Sequence, residues 1–146
     1  MLDMSKITAA LVDQLKNDSE LTQLGASISR NRYLNENPEN TPWIGVYKNN
    51  VPYDTRTLGR HNTSWKASPD LRIVVQQGGL DEIVVEDKLE NLIKRVLDAV
   101  WTDSTFDSEV DMVTGLDVQY SFQETNSEDQ YFQWAIISVK LEVSTG

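Results

Sequence analysis

The stretch Tyr131-Phe132-Gln133-Trp134-Ala135-Ile136-Ile137-Ser138-Val139-Lys140-Leu141-Glu142-Val143 decides the fold. Successive side chains of an extended chain point to opposite sides, so Ala135, Ile137, Val139 and Leu141 share one face while Phe132, Trp134 and Ile136 share the other. A strand with apolar groups on both faces lies centrally in a sheet, or has one side against another chain. Upstream, Leu116, Val118, Tyr120 and Phe122 alternate with Asp117, Gln119 and Ser121, the pattern of a strand with one buried and one wet face. Glu124 to Asp129 between these two runs reads as a hairpin turn.

Working outward, residues 81 to 101 predict a helix, because Leu89, Leu92, Ile93, Val96, Leu97 and Val100 recur at the three-and-four spacing of a core-facing stripe. Glu90 and Lys94 add a favourable pair one turn apart. Trp43 to Tyr47 and Leu71 to Gln77 predict strands, the second closed by a turn at Gly78-Gly79. Between them runs a long connection, Lys48 to Asp70, with Pro52, Gly59 and Pro69; loops of that length bind something or are disordered. A short strand over 28 to 33 precedes a loop rich in Asn and Pro, residues 35 to 42. The chain opens with an amphipathic helix over about 6 to 17, capped by Ser5 and striped by Ile7, Leu11 and Leu15, then a short helical turn that stops at Gly25. The order α-α-β-β-β-α-β-β predicts a single α+β domain over 1–146. Its antiparallel sheet has about four to five strands, two main helices pack on it, and a long loop or extended hairpin spans about 48–66.

The 146 residues fit one domain, and 39% hydrophobic with 25% charged residues describes a folded chain. Twenty-three acidic residues against 13 basic ones give a net charge of −10, which opposes non-specific nucleic-acid binding. The absence of cysteine excludes disulfides, thiolate zinc sites and cysteine nucleophiles, and points to a reducing compartment. The opening residues Met1 to Lys6 lack the pattern of a signal peptide, and no run approaches a membrane span, so neither export nor bilayer insertion is expected.

Catalytic and metal motifs fail on inspection. The lone His61, with Ser64 and Asp54 close in sequence, can be drawn as a triad, but no nucleophile-elbow pattern accompanies it, and a loop or interface side chain is the better reading. The acidic run Asp103, Asp107, Glu109 and Asp111 suggests calcium, yet counting from Asp107 puts Met112 where an EF-hand needs glycine and Val118 where it needs glutamate. Phosphate-cradling glycine motifs are absent. The expectation is a protein with no enzymatic activity, no metal and no cofactor.

Charge distribution is more telling. Residues 1 to 80 carry nine basic and eight acidic groups, whereas residues 102 to 130 carry eight acidic and none basic. Lys48, Arg56, Arg60 and Lys66 fall in or beside the long connection, interleaved with Tyr53 and Trp65, residue types enriched at protein interfaces. Four such charges on an acidic protein favour an acidic protein partner over nucleic acid.

Taken together, the Ile7-Thr8-Ala9-Ala10-Leu11-Val12-Asp13-Gln14-Leu15 helix, Pro42-Trp43-Ile44-Gly45-Val46-Tyr47, the Trp65 to Val75 segment, the 81–101 helix and the final strand resemble the tail terminator, or tail completion, proteins of long-tailed bacteriophages. The resemblance is one of element succession rather than of a sharp motif. It implies a structural virion protein, assembled in the bacterial host cytoplasm, that forms a homo-oligomeric ring, usually a hexamer, on the head-proximal end of the tail tube. Such a ring ends tube polymerisation and offers the surface for head–tail joining. The implied partners are further copies of the chain, the tail tube protein and a head-completion or neck protein, with DNA passing through unbound and no membrane involved. Within that frame, Tyr53, Arg56, Arg60, Trp65, Lys48 and Lys66 are expected to contact the tube or a neighbouring subunit. Asp103, Asp107, Glu109 and Asp111 are expected at a subunit interface or the lumen. The alternatives are another neck component, such as a stopper ring, or an acidic inhibitory or immunity protein plugging a basic partner.

Overall fold

A computed structural model describes residues 2–31, 42–54, 65–121, 124–127 and 130–145. Its spine is the strand β8 (Gln130–Thr145), 16 residues long and hydrogen-bonded along both edges. On one edge lies β5 (Asp70–Gly79), paired from Asp70↔Lys140 to Gly79↔Tyr131. The same edge continues past Ser68-Pro69 into β4 (Trp65–Ala67), which pairs Ala67 with Val143 and Trp65 with Thr145. Proline has no N–H to give, but its carbonyl still accepts from Leu141 N–H at 2.9 Å, so the ladder bridges the break. The other edge carries β6 (Met112–Tyr120) and β7 (Glu124–Ser127).

Beyond β5 and β4 run β2 (Trp43–Asn50) and β3 (Tyr53–Asp54), antiparallel to them. Their own break, Val51-Pro52, sits against the first one, for Ser68 N–H donates to the Pro52 carbonyl at 2.9 Å. The short β1 (Ser27–Arg30) adds in parallel to β2. Among the described residues eight strand segments therefore make five lanes, in the order β1, β2/β3, β5/β4, β8, β6/β7. The fold is α+β with a mostly antiparallel sheet, as the sequence predicts.

Two main helices cover one face. Helix α1 (Met4–Lys16) buries Ile7, Thr8, Leu11, Val12 and Leu15; α3 (Glu82–Thr102) buries Val85, Leu89, Leu92, Ile93, Val96, Ala99 and Val100. They meet Ile44, Val46, Leu71, Ile73, Val75, Ala135, Ile137, Val139 and Leu141 of the sheet in one core. The short α2 (Ser19–Gln23) contributes Leu21 and ends at Gly25, whose φ of +71° is open to glycine without strain. Gly45 answers a different need, since a Cβ there would stand 2.2 Å from the Asn31 carbonyl oxygen.

Several local expectations are corrected. The cap of α1 is Asp3, not Ser5: its carboxylate accepts from the N–H groups of Ser5 and Lys6 at 3.1 and 3.3 Å, and an aspartate also suits the positive end of a helix. Gly78 and Gly79 are paired strand residues opposite Phe132 and Tyr131 rather than a turn. Glu124–Ser127 is strand β7, because the long β8 offers a free edge there. The connection from Lys48 to Asp70 is strand at both ends, its two prolines falling at breaks between strand segments rather than marking a continuous loop. The first strand is described over Ser27–Arg30, while Arg32, Tyr33 and Asn35 to Thr41 lie outside the described residues.

The two faces of β8 differ in burial: Ile137 is 0% exposed on the helix side, whereas Ile136 on the other side is half-buried. Chemical denaturation is expected to show Ile137→Ala losing about 3–4 kcal/mol and Ile136→Ala roughly 1 kcal/mol. Equal losses at the two positions would mean that the second face is packed as tightly as the first.

Candidate functional site

The described basic and acidic residues singled out in the sequence gather at the Thr145 end of β8, where Lys66 is opposite Ser144 and Asp111 accepts from Ser144. There β3 and β4 prolong the hairpin begun by β2 and β5 and form an arm. Tyr53 and Trp65 stand at its base, half-buried, with ring centroids 5.8 Å apart and planes at 67°, an edge-to-face pair. Trp65 also packs on the core. Lys48 is exposed at the end of β2 opposite Leu71, and Lys66 is exposed on β4 with its ammonium 3.1 Å from Glu142 Oε1. Arg56, Arg60, His61 and Ser64 lie outside the described residues; Asp54 is opposite Lys66 in the register of β3 with β4. Of the residues assigned to the arm, the structure thus brings together Tyr53, Trp65 and Lys66, with Lys48 further down the same hairpin.

The acidic residues divide into two kinds. Asp103 follows the last turn of α3 and is consumed locally: one carboxylate oxygen accepts from Thr105 N–H at 2.9 Å and Thr105 Oγ1 at 2.6 Å, the other from Asp107 N–H at 2.9 Å. Asp111 accepts from Ser144 N–H at 2.9 Å and Ser144 Oγ at 2.8 Å, tying the connection to the end of β8. Asp107 and Glu109 are exposed, as Asp111 is, and with Asp103 they border an open groove of about 870 Å³ whose other wall is Asp13, Asp18 and Lys6 from the α1–α2 corner.

The groove wall has an unusual backbone. Phe106, Asp107 and Ser108 all have positive φ, at 49°, 58° and 66°, a left-handed turn that costs an L-residue roughly 1–2 kcal/mol per position. Burial of the Phe106 ring, 0% exposed, holds it in place. Gln14 on α1 fixes the neighbouring helix end: its amide Nε2 donates to the carbonyls of Ala99, Val100 and Asp103 at 2.9, 3.0 and 3.1 Å. These are the carbonyls a helix C-terminus otherwise leaves to solvent. Gln14 escapes a reading by hydrophobic period because it is a polar residue beside the stripe, with its partners some 85 positions away.

At the opposite end of β5 the sequence reading missed a surface altogether. Leu80, Ile83 and Val84 are 73%, 70% and 45% exposed at the β5–α3 corner. The signal was present: Ile83 and Val84 are apolar positions of α3 that fall off the stripe running through Val85, Leu89 and Leu92. Near the other end of α3, Trp101 is 53% exposed. Among the described residues no group of three or more His, Cys, Asp or Glu is placed to hold a metal, and no helix is long and apolar enough to cross a membrane.

No family model matches the chain, and no curated protein does. Among solved structures it is similar to a chain of the virion of a native gene transfer agent particle. The two share 14% sequence identity, the match covers 92% of this chain and 93% of the other, and the TM-score is 0.44.

The hydrogen bonds from Thr105 and from the Asp107 N–H hold the Asp103 carboxyl below the ordinary carboxylate value. A group depressed in the folded state stabilises above its unfolded pKa and loses that contribution as pH falls through the folded one. Asp103→Asn is therefore expected to be less stable than the parent near pH 7, with the gap closing as pH drops below about 4. Carboxyl titration by NMR together with denaturation at both pH values checks this; an Asp103 that titrates at the ordinary value contradicts it.

Proposed function

We propose that this chain is a structural subunit of a phage-like virion, a tail terminator. Its copies close into a ring on the head-proximal end of the tail tube, end tube growth and present the surface to which the head joins. The observation that carries this reading is the segregation of charge. Residues 48–66 hold four basic side chains and one acidic, a net of +3, which leaves −13 on the rest of the chain. A subunit so divided attracts another copy of itself in one orientation and repels it in others. A contact between two different surfaces of identical copies closes into a ring when its rotation divides a full turn. The succession of elements that resembles the tail terminators supports the choice of ring.

In this reading the arm, with Lys48, Tyr53, Arg56, Arg60, Trp65 and Lys66, reaches the tube or the neighbouring subunit. Asp107 and Glu109 face a neighbour or the lumen, where negative charge keeps passing DNA from adhering. Asp103, which lines the same groove, and the exposed Asp111 are held in place by Thr105 and Ser144.

Native mass spectrometry of the purified chain, alone and with tail tubes, is expected to find a closed multimer. In particles, the double reversal Arg56→Glu with Arg60→Glu should leave the fold intact and yield overlong or headless tails. A strict monomer in the presence of tubes, or tails of normal length from the reversed variant, contradicts the proposal.

A further inference from the structure

Resting on the ring reading above, we propose that the apolar corner formed by Leu80, Ile83 and Val84 is the surface on which the arm end of a second copy docks. Three large apolar side chains this exposed, within five consecutive residues, form a patch of the kind that marks an interaction site. The corner is rimmed by exposed Asp81, Glu82, Glu86 and Asp87, against the single Lys88. The acids have a local use, since Asp81 caps α3 by accepting from Ile83 and Val84 N–H at 3.0 and 3.3 Å, and negative charge suits a helix start. The apolar groups have none: Ile83 and Val84 lie off the stripe that α3 turns to the core, and Leu80 precedes the helix.

The occupant follows from chemistry and length. An acid-rimmed apolar patch fits a segment rich in basic and aromatic groups, and within this chain that description belongs to residues 48–66, with four basic side chains to one acidic and the Tyr53–Trp65 pair. The ion pair of the exposed Lys66 with the half-buried Glu142 is a surface pair, weak enough to exchange for an intermolecular one. The arm leaves β5 at Asp70 and the corner begins just after Gly79, so ten strand residues, roughly 30 Å, separate them. The two surfaces cannot meet within one copy. They can meet only between copies, tail of one to head of the next, which is the heterologous contact that builds a ring.

Association of the full chain is read by sedimentation velocity over a concentration series, with circular dichroism to verify folding. Glu82→Lys with Glu86→Lys is expected to weaken association about tenfold, as is Lys48→Glu with Lys66→Glu. Combining all four should restore it to within about threefold of the parent. Ile83→Asp, which breaks the apolar contact without altering the arm, should weaken it at least as much as either reversal. A closed ring that persists unchanged in the corner variants overturns this docking surface and leaves the ring reading standing. Failure of the four-fold exchange to recover association also overturns it, and a parent chain that stays monomeric at every concentration overturns both.

Discussion

The structure depends on one strand being hydrogen-bonded along both edges for nearly its whole length. With β5 and β4 on one side and β6 and β7 on the other, β8 leaves few of its backbone polar groups to water. That arrangement fixes the register of its side chains, because a slip of one residue would turn Ala135, Ile137, Val139 and Leu141 away from the helices. The helices then have one place to go. The connection from β5 into α3 is only Leu80 and Asp81, so α3 runs back along the sheet, and its apolar stripe meets the side that β8 has made apolar.

The same constraint separates the ends of the molecule. Because β5 pairs with β8 over ten residues, whatever extends beyond Asp70 is held far from whatever begins at Leu80. The arm grows at one end from paired prolines that keep the ladder going through their carbonyls, and the apolar corner forms at the other. Between the helices and the strands, the strained turn at Phe106–Ser108 is stabilised by a buried ring and by the carboxylate of Asp103 rather than by regular structure. Arg95 of α3 pairs with Glu20 of α2, a second link between the N-terminal helices and the rest.

Much of the fold was legible in the sequence because hydrophobic period reports directly on which face is buried. The two-sided run at 131–143 and the stripe from Leu89 to Val100 occur as elements where those patterns put them, and Gly25 ends α2 as its residue type suggests. What was not legible depended on partners distant in sequence. Gly78 and Gly79 read as a turn by composition, yet Phe132 and Tyr131 supply strand partners that override it. Pro52 and Pro69 read as loop residues, yet each sits at a break where only its carbonyl is needed. For the site, residue types in the arm and in the acidic stretch stood out. Local reading could not foresee that Asp103 and Asp111 are occupied by Thr105 and Ser144, whereas the off-stripe positions of Ile83 and Val84 were there to be read.

In the proposed assembly the arm end of one copy meets the β5–α3 corner of the next. The absence of cysteine makes this directly measurable, since an introduced thiol has no native competitor. Single-cysteine variants Ile83→Cys and Lys66→Cys, mixed and mildly oxidised, should give a disulfide-linked pair containing one of each, with little linkage when either is oxidised alone. Prompt linkage of Ile83→Cys to itself or of Lys66→Cys to itself, with no mixed product, would mean a two-fold symmetric contact and contradict the account.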